Sequence, residues 1–257
     1  MGGRNSIALV TGASSGFGQA IACRLVKEGY RVIAAARRKE RLDALAKQLG
    51  ENLFPYSLDV TDMAAIRELP KNLPPNWQAI DILINNAGLA LGTAPIPEIS
   101  LEDWEQMVRT NVVGMIELTQ TLIGGMIERG CGHVISLGST AGTYPYKGGN
   151  VYGATKAFVK QFMLNLKTDL LGTPIRVTNI EPGLCGGTEF SEIRTRDKAK
   201  AKAVYEGTQP LTAEDIAETV SWVLGLPAHV NINRIEMMPV CQASGGLAVS
   251  RNTKHQD

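Results

Sequence analysis

The run Thr11-Gly12-Ala13-Ser14-Ser15-Gly16-Phe17-Gly18 places three glycines between an apolar stretch, Ile7 to Val10, and a helical pattern beginning near Gln19. Glycines at a strand-to-helix turn let backbone approach a pyrophosphate. The helix N-terminus beyond them offers free N–H groups and the positive end of its dipole. The spacing is Gly-x-x-x-Gly-x-Gly rather than Gly-x-Gly-x-x-Gly, and a tight turn can use glycine for geometry alone. Its place after the first strand is what points to a dinucleotide. An NAD site would call for a carboxylate at the end of the second strand, to hold the ribose 2′-hydroxyl. Here Arg31-Val32-Ile33-Ala34-Ala35-Ala36 runs into Arg37 and Arg38. Guanidinium groups hydrogen-bond a phosphate bidentately, so the sequence predicts NADP(H) rather than NAD(H). The plainer alternative is that both arginines only cap a solvated helix start.

Further along, Tyr152-Gly153-Ala154-Thr155-Lys156 opens another helical stretch. A spacing of four puts the phenol and the ammonium on one face, one turn apart. Gly138-Ser139-Thr140 follows an apolar strand, so Ser139 would stand at a carboxyl edge of a sheet. Asn85-Asn86-Ala87-Gly88 closes a further strand, and Asn111 interrupts a helical pattern. Taken one at a time, each has a bland role as a turn or a helix-surface residue. In this order, behind the glycine turn, they form a specific constellation.

The elements that must position them alternate along the chain. Strand-like runs are Ile7 to Val10, Arg31 to Ala36, Leu53 to Leu58, Ile80 to Ile84, His133 to Leu137, Ile175 to Ile180 and Ile232 to Met237. Helical patterns occupy Gln19 to Lys27, Glu40 to Leu49, Asp62 to Leu69, Leu101 to Glu128, Val151 to Leu171 and Ala213 to Leu224. Strands separated by helices make βαβ units. The near-continuous apolarity of the strands requires burial on both faces. The expected fold is therefore α/β: a Rossmann-type, doubly wound parallel sheet with helices on both sides, forming one domain over residues 1–257. Two stretches break the alternation. Residues 186–209 are polar, with five cations against one anion between Arg194 and Lys202. They read either as a solvated surface helix or as a lid over a site at the strand ends. Residues 243–257 read as a polar C-terminal tail.

Composition narrows the partners. With 26 Lys+Arg against 25 Asp+Glu the net charge is +1, and hydrophobic residues make up 44%. That balance excludes a disordered chain and a nucleic-acid binder relying on a global positive field. No run reaches the roughly 18 apolar residues of a membrane helix, and Met1 to Ser6 carries no apolar signal core. Cys23, Cys131, Cys185 and Cys241 form no Cys-x-x-Cys pair, so neither a disulfide framework nor a zinc site is expected, and a cytoplasmic setting fits. The histidines are equally scattered; His133 reads as a strand-end residue rather than a ligand. No metal is expected.

Taken together, the glycine turn, Asn-Asn-Ala-Gly, Ser139 and Tyr-x-x-x-Lys resemble the short-chain dehydrogenase/reductase family, from Ser6 to about Val240. That resemblance implies Tyr152 as catalytic acid/base, Lys156 as its partner, Ser139 as the carbonyl-orienting hydroxyl and Asn111 as a fourth member. It also implies Gly12, Gly16 and Gly18 in the cofactor turn, with Ser14, Ser15 and Phe17 beside them. Asp59-Val60 would lie by the adenine, Asn86-Ala87-Gly88 by the adenosine ribose, and Pro182-Gly183 by the nicotinamide. The family often has Thr five residues after this Pro. Here that position is Gly187, and Thr188 follows, so the resemblance implies Thr188 as the nicotinamide-carboxamide or phosphate contact. Asn85 to Gly92, Gly148 to Tyr152, Glu181 to Leu184 and Pro227 to Asn233 look like the family's NADP-dependent dehydrogenases of small 3-hydroxy acids. Those oxidise serine and L-allo-threonine and reduce malonic semialdehyde. Reductases of sulfoacetaldehyde, forming isethionate, are similar. A non-catalytic NADP(H)-sensing regulator is a distant alternative, with no use for Tyr152 and Lys156.

A tyrosine at its reference pKa of about 10 is a poor base near neutrality, and shifting it by about 3 units takes roughly 4 kcal/mol. A Lys ammonium about 5 Å away supplies roughly 3 kcal/mol at an effective dielectric of ~20. The expectation is thus that Lys156 lowers the phenol. An anionic substrate needs a cation, for which Lys147, Arg194 and Arg196 are candidates. Cys185 lies near the nicotinamide motif with no base to activate it and reads as packing. Met107 to Met126 and Phe158 to Leu170 carry apolar residues beyond one stripe. The resemblance implies that such helices pair subunits, giving a homotetramer.

Overall fold

The structure is a computed structural model and describes residues 6–244; most of the 243–257 tail lies outside the described residues. Seven strands form one sheet: β1 Ile7–Thr11, β2 Arg31–Ala36, β3 Leu53–Ser57, β4 Ile80–Asn85, β5 Gly132–Leu137, β6 Ile175–Pro182 and β7 Arg234–Met237. Their order is β3-β2-β1-β4-β5-β6-β7, and every pairing is parallel. The helices are α1 Gly16–Lys27, α2 Lys39–Leu49, α3 Met63–Asn72, α4 Leu101–Val108, α5 Gly114–Glu128, α6 Asn150–Asp169, α7 Phe190–Thr195, α8 Lys198–Ala203 and α9 Ala213–Gly225.

Alternation along each strand feeds two cores. In β1, Ala8 and Val10 pack with Ile21 and Leu25 of α1, Leu42 of α2 and Val220 of α9. Ile7 and Leu9 pack on the other face with Ile66 of α3, Leu118 of α5 and Met163 of α6. A period of two over a sheet covered on both sides favours apolar residues at successive strand positions, as across Ile7 to Val10 and Val32 to Ala36, which is why these strands are legible in the sequence. The chain winds outward from β1 to β3, then crosses back to β4. The carboxyl ends of β1 and β4 therefore diverge into a crevice, the usual ligand site of such sheets.

Four elements differ from expectation, and those at the carboxyl edge of the sheet shape that crevice. The stretch Leu101 to Glu128, expected as one helix, is divided by a π-helical turn, Arg109–Val113, that holds Asn111. A wide turn inside a helix pushes one residue out of the regular ladder and is frequent at functional sites. α1 begins at Gly16, earlier than expected, because the glycine turn folds straight into the first helical turn. β7 begins two residues late. Ahead of it, the Asn231 side-chain amide accepts from Val177 N at 2.7 Å and donates to Val177 O at 3.0 Å, taking the place of backbone pairing. Residues 186–209 form not one surface helix but the short α7 and α8, joined through left-handed Arg196 (φ 52°).

Candidate active site

At the carboxyl edge of the sheet lies a cleft of about 940 Å³, bounded by the turn after β1, the ends of β2, β4, β5 and β6, the start of α6 and the 186–209 segment. Its floor is the glycine turn. Gly12 has φ +68°, and a Cβ there would come within 2.8 Å of Asn86 Nδ2. A Cβ on Gly18 would meet Gly12 O at 2.4 Å, so Gly18 supports the turn from behind rather than lining the cleft. The Ser15 side chain makes no cap bond at the start of α1, and the first turn of that helix holds no acidic residue. Asn86 ties the end of β4 to β1: its N–H donates to Thr11 Oγ1 at 3.0 Å and its Nδ2 to Thr11 O at 2.8 Å. Ala87 N adds a bond to Thr11 Oγ1 at 2.9 Å.

At one end of the cleft, beyond β2, Arg38 donates to Ser14 Oγ (3.1 Å), Ser15 Oγ (2.7 Å) and Glu189 (2.8 Å). Arg41, one turn further along α2, donates to the other oxygen of Glu189 at 2.9 Å. Arg37 also lines this end. Asp59 lines it too and accepts from the N–H and hydroxyl of Thr61, next to Val60. A backbone cradle at a helix N-terminus, with forked cations and hydroxyls beside it, is a donor set that fits a dinucleotide carrying a phosphate monoester.

Towards the other end stand Ser139, Tyr152 and Lys156. Ser139 follows β5, and its hydroxyl accepts from Ala141 N at 3.1 Å. Lys156 is buried, its ammonium donating to Leu137 O at 2.6 Å and lying 5.8 Å from the centre of the Tyr152 ring. Burial pulls Lys156 down to about 8. Burial also pushes the Tyr152 phenol up, against the lowering by its hydrogen bond to Ser139 and by the Arg194 charge. This differs from the expectation of a phenol lowered by Lys156. Within the protein alone the cost of desolvating a phenolate is the larger effect. Phe190 packs on the Tyr152 ring at 5.7 Å between centroids.

Asn111 does not line the cleft. From the π turn its Nδ2 donates to Leu89 O (2.8 Å) and Thr155 Oγ1 (3.1 Å), while its Oδ1 accepts from Leu89 N (2.9 Å). It thereby fixes the strand of chain after Gly88 against α6. Beneath it a separate cavity of about 10 Å³ touches Asn111, Lys156 and Asn85, whose Oδ1 has no protein partner.

Phe17, Pro182, Gly183, Thr188 and Arg194 all line the cleft. The guanidinium of Arg194 lies 5.0 Å from the Tyr146 ring centre and donates to its hydroxyl at 3.0 Å, leaving a buried Nε without a partner. Two of the expected cations are elsewhere. Lys147 is exposed and outside the cleft lining, because the neighbouring Tyr146 takes the cleft-facing place. Arg196 pairs with Asp103 of α4. Sequence reasoning missed Arg41, Glu189 and Tyr146. Only Arg41 left a signal, three residues after Arg38 on the same helix face. Burial pushes the Cys185 thiol up to about 12, as suits a packing residue. His133 is buried in β5, its Nε2 2.8 Å from Thr178 Oγ1. Among the described residues there is no cluster of three or more His, Cys, Asp or Glu that could hold a metal, and no helix long and apolar enough to cross a membrane.

A parallel sheet with this order, a glycine cradle at its switch point and a Ser–Tyr–Lys group beside it define a nucleotide-dependent oxidoreductase. The chain belongs to the short chain dehydrogenase family, which it matches over residues 6–199. It is 59% identical over 247 residues to the NADP-dependent 3-hydroxy acid dehydrogenase YdfG of Salmonella typhi, covering 96% of this chain and 100% of that one. It is 51% identical over 246 residues to serine 3-dehydrogenase of Rhizobium radiobacter, covering 95% and 98%. Among solved structures, the closed form of serine dehydrogenase complexed with NADP+ superposes with a TM-score of 0.94 at 57% identity, covering 96% of this chain and 100% of that one. Serine dehydrogenase from Escherichia coli does so with 0.82 at 53%, covering 92% and 99%.

Proposed function

We propose that the protein is an NADP(H)-dependent dehydrogenase of small 3-hydroxy acids, serine and L-allo-threonine among them, and that it reduces malonic semialdehyde in the opposite direction. The relatives named above support the reaction class and the nucleotide. The observation that carries the substrate class is Arg194, a cation with an unpartnered buried Nε that lies beside Tyr146 and whose charge acts on Tyr152. A carboxylate seated there would place its own β-carbon oxygen near the phenol and Ser139.

A nucleotide held by the glycine turn and Arg38 would supply or accept the hydride. The chain's own work is to hold the substrate oxygen and move its proton. Ser139 orients that oxygen and stabilises charge developing on it. Tyr152 exchanges the proton, and Lys156 holds the phenol in position with its positive charge. In this reading Asn111 acts through the small cavity beneath it, whose volume suits one water between Asn111 and Lys156. Residues 186–209 act as a cover, since α7 brings Arg194 and Phe190 into the cleft.

The test is a panel of small 3-oxo and 2-oxo anions with NADPH, and of 3-hydroxy acids with NADP+. The reading expects the highest kcat/KM for malonic semialdehyde and its hydroxy-acid counterparts. A clear preference for sulfoacetaldehyde would reassign the substrate to a sulfonate, and indifference to the anionic group would remove Arg194 from its role. Half-exposed Val108, Val113, Ile127, Phe158 and Leu164 on and around α4, α5 and α6 leave an apolar face that suits the proposed homotetramer. Light scattering at micromolar concentration checks it, a monomer being the contrary result. The free thiols of Cys23, Cys131, Cys185 and Cys241 suit a reducing, cytoplasmic setting.

A further inference from the structure

The carboxylate of Glu189 sits among the groups that suit a phosphate monoester. Its two oxygens accept from Arg38 at 2.8 Å and from Arg41 at 2.9 Å. Arg38 gives two more of its N–H groups to the hydroxyls of Ser14 and Ser15. Two forked cations and two hydroxyls converging on one spot would serve a dianion as well as a carboxylate. Those cations draw the Glu189 carboxyl down to about 2, so it remains charged at any working pH.

Position in the chain gives this contact its consequence. Glu189 lies between Thr188, which lines the cleft, and Phe190, which packs on Tyr152. It belongs to the segment that carries Arg194. The ion pairs therefore fasten the start of α7 to the start of α2, across the mouth of the cleft. A dianion arriving at Arg38 meets an anion already there, and like charges on one site drive each other apart.

We propose that Glu189 is a specificity-determining residue of the 2′-phosphate subsite: an internal anion that holds the 186–209 segment to Arg38 and Arg41 until a nucleotide 2′-phosphate displaces it. This rests on the NADP(H) reading and adds to it. The phosphate then takes over the two arginines from the carboxylate. A nucleotide without that phosphate leaves the fastening in place.

The test compares 2′,5′-ADP with 5′-AMP, which differ by the 2′-phosphate, on wild type and Glu189→Gln by calorimetry. Removing the competitor should tighten 2′,5′-ADP by about fivefold, the scale of one surface ion pair, and leave 5′-AMP unchanged. Glu189→Ala, which removes the carboxylate altogether, should tighten 2′,5′-ADP to a similar extent and likewise leave 5′-AMP unchanged. Unchanged or weaker 2′,5′-ADP binding in either variant would overturn the proposal, weaker binding meaning that Glu189 orients Arg38 instead. If 2′,5′-ADP binds wild type no better than 5′-AMP, the NADP(H) reading itself fails, a result distinct from the others.

Discussion

Lys156 offers a perturbation whose size follows from its surroundings. It is 8% exposed and donates to Leu137 O, and burial brings it from 10.5 to about 8. The unfolded chain holds the proton more tightly than the folded protein, so unfolding takes up a proton between those two values. Stability contributed by this group therefore rises with pH through the window from about 8 to 10.5 and is withheld below it. At ~1.36 kcal/mol per pH unit the whole effect is roughly 3 kcal/mol. Lys156→Met keeps most of the stem and removes the charge. Urea denaturation of both proteins, without nucleotide, at pH 7 and pH 10.5 gives the comparison. The stability of wild type relative to Met should improve by roughly 3 kcal/mol at the higher pH. At pH 7 the loss of a donor to Leu137 O, about 1–3 kcal/mol for a buried acceptor left unpaired, partly offsets the relief of a desolvated charge. A difference that stays flat between the two pH values would refute the reasoning, because it would mean that Lys156 is as well solvated folded as unfolded.

Two other substitutions separate the ends of the cleft. Arg38→Ala should lower kcat/KM for NADP(H) by about 30- to 150-fold, the worth of charged hydrogen bonds at about 2–3 kcal/mol, with little change for NAD(H); equal losses for both nucleotides in steady-state assays would count against the 2′-phosphate assignment. Arg194→Ala, assayed on malonic semialdehyde and sulfoacetaldehyde, should raise KM by about tenfold or more on the true substrate with a smaller effect on kcat; unchanged KM on both would exclude it as the anion partner.

The strands were legible because a sheet buried on both faces favours continuous apolar runs, as in Ile7 to Val10 and Val32 to Ala36. The glycine turn was legible because its residues are local in sequence and much of their steric demand is local too, since a Cβ on Gly18 would meet Gly12 O within the same turn. What escaped depends on distance along the chain. Glu189 and Arg38 are 151 residues apart, and no local pattern marks an acid that will meet two arginines. Lys147 and Tyr146 illustrate the same point at close range: the charge suggested a ligand, but which neighbour faces the cleft is decided by the turn they occupy. The π turn at Asn111 showed only as an interruption, since a widened helical turn has no composition of its own. The direction of the Tyr152 shift was missed because a sequence gives the charge four residues away and not the depth of burial.

The most direct test of the account is Tyr152→Phe, which deletes one hydroxyl and keeps the ring against Phe190. Dissociation constants for NADPH, from its fluorescence, should match wild type. Meanwhile kcat for hydroxy-acid oxidation should fall by about 10²- to 10⁴-fold, the range for a lost general acid/base. A variant that binds NADPH normally and turns over at near wild-type rate would contradict the account, since the proton would then be leaving the substrate by some other group.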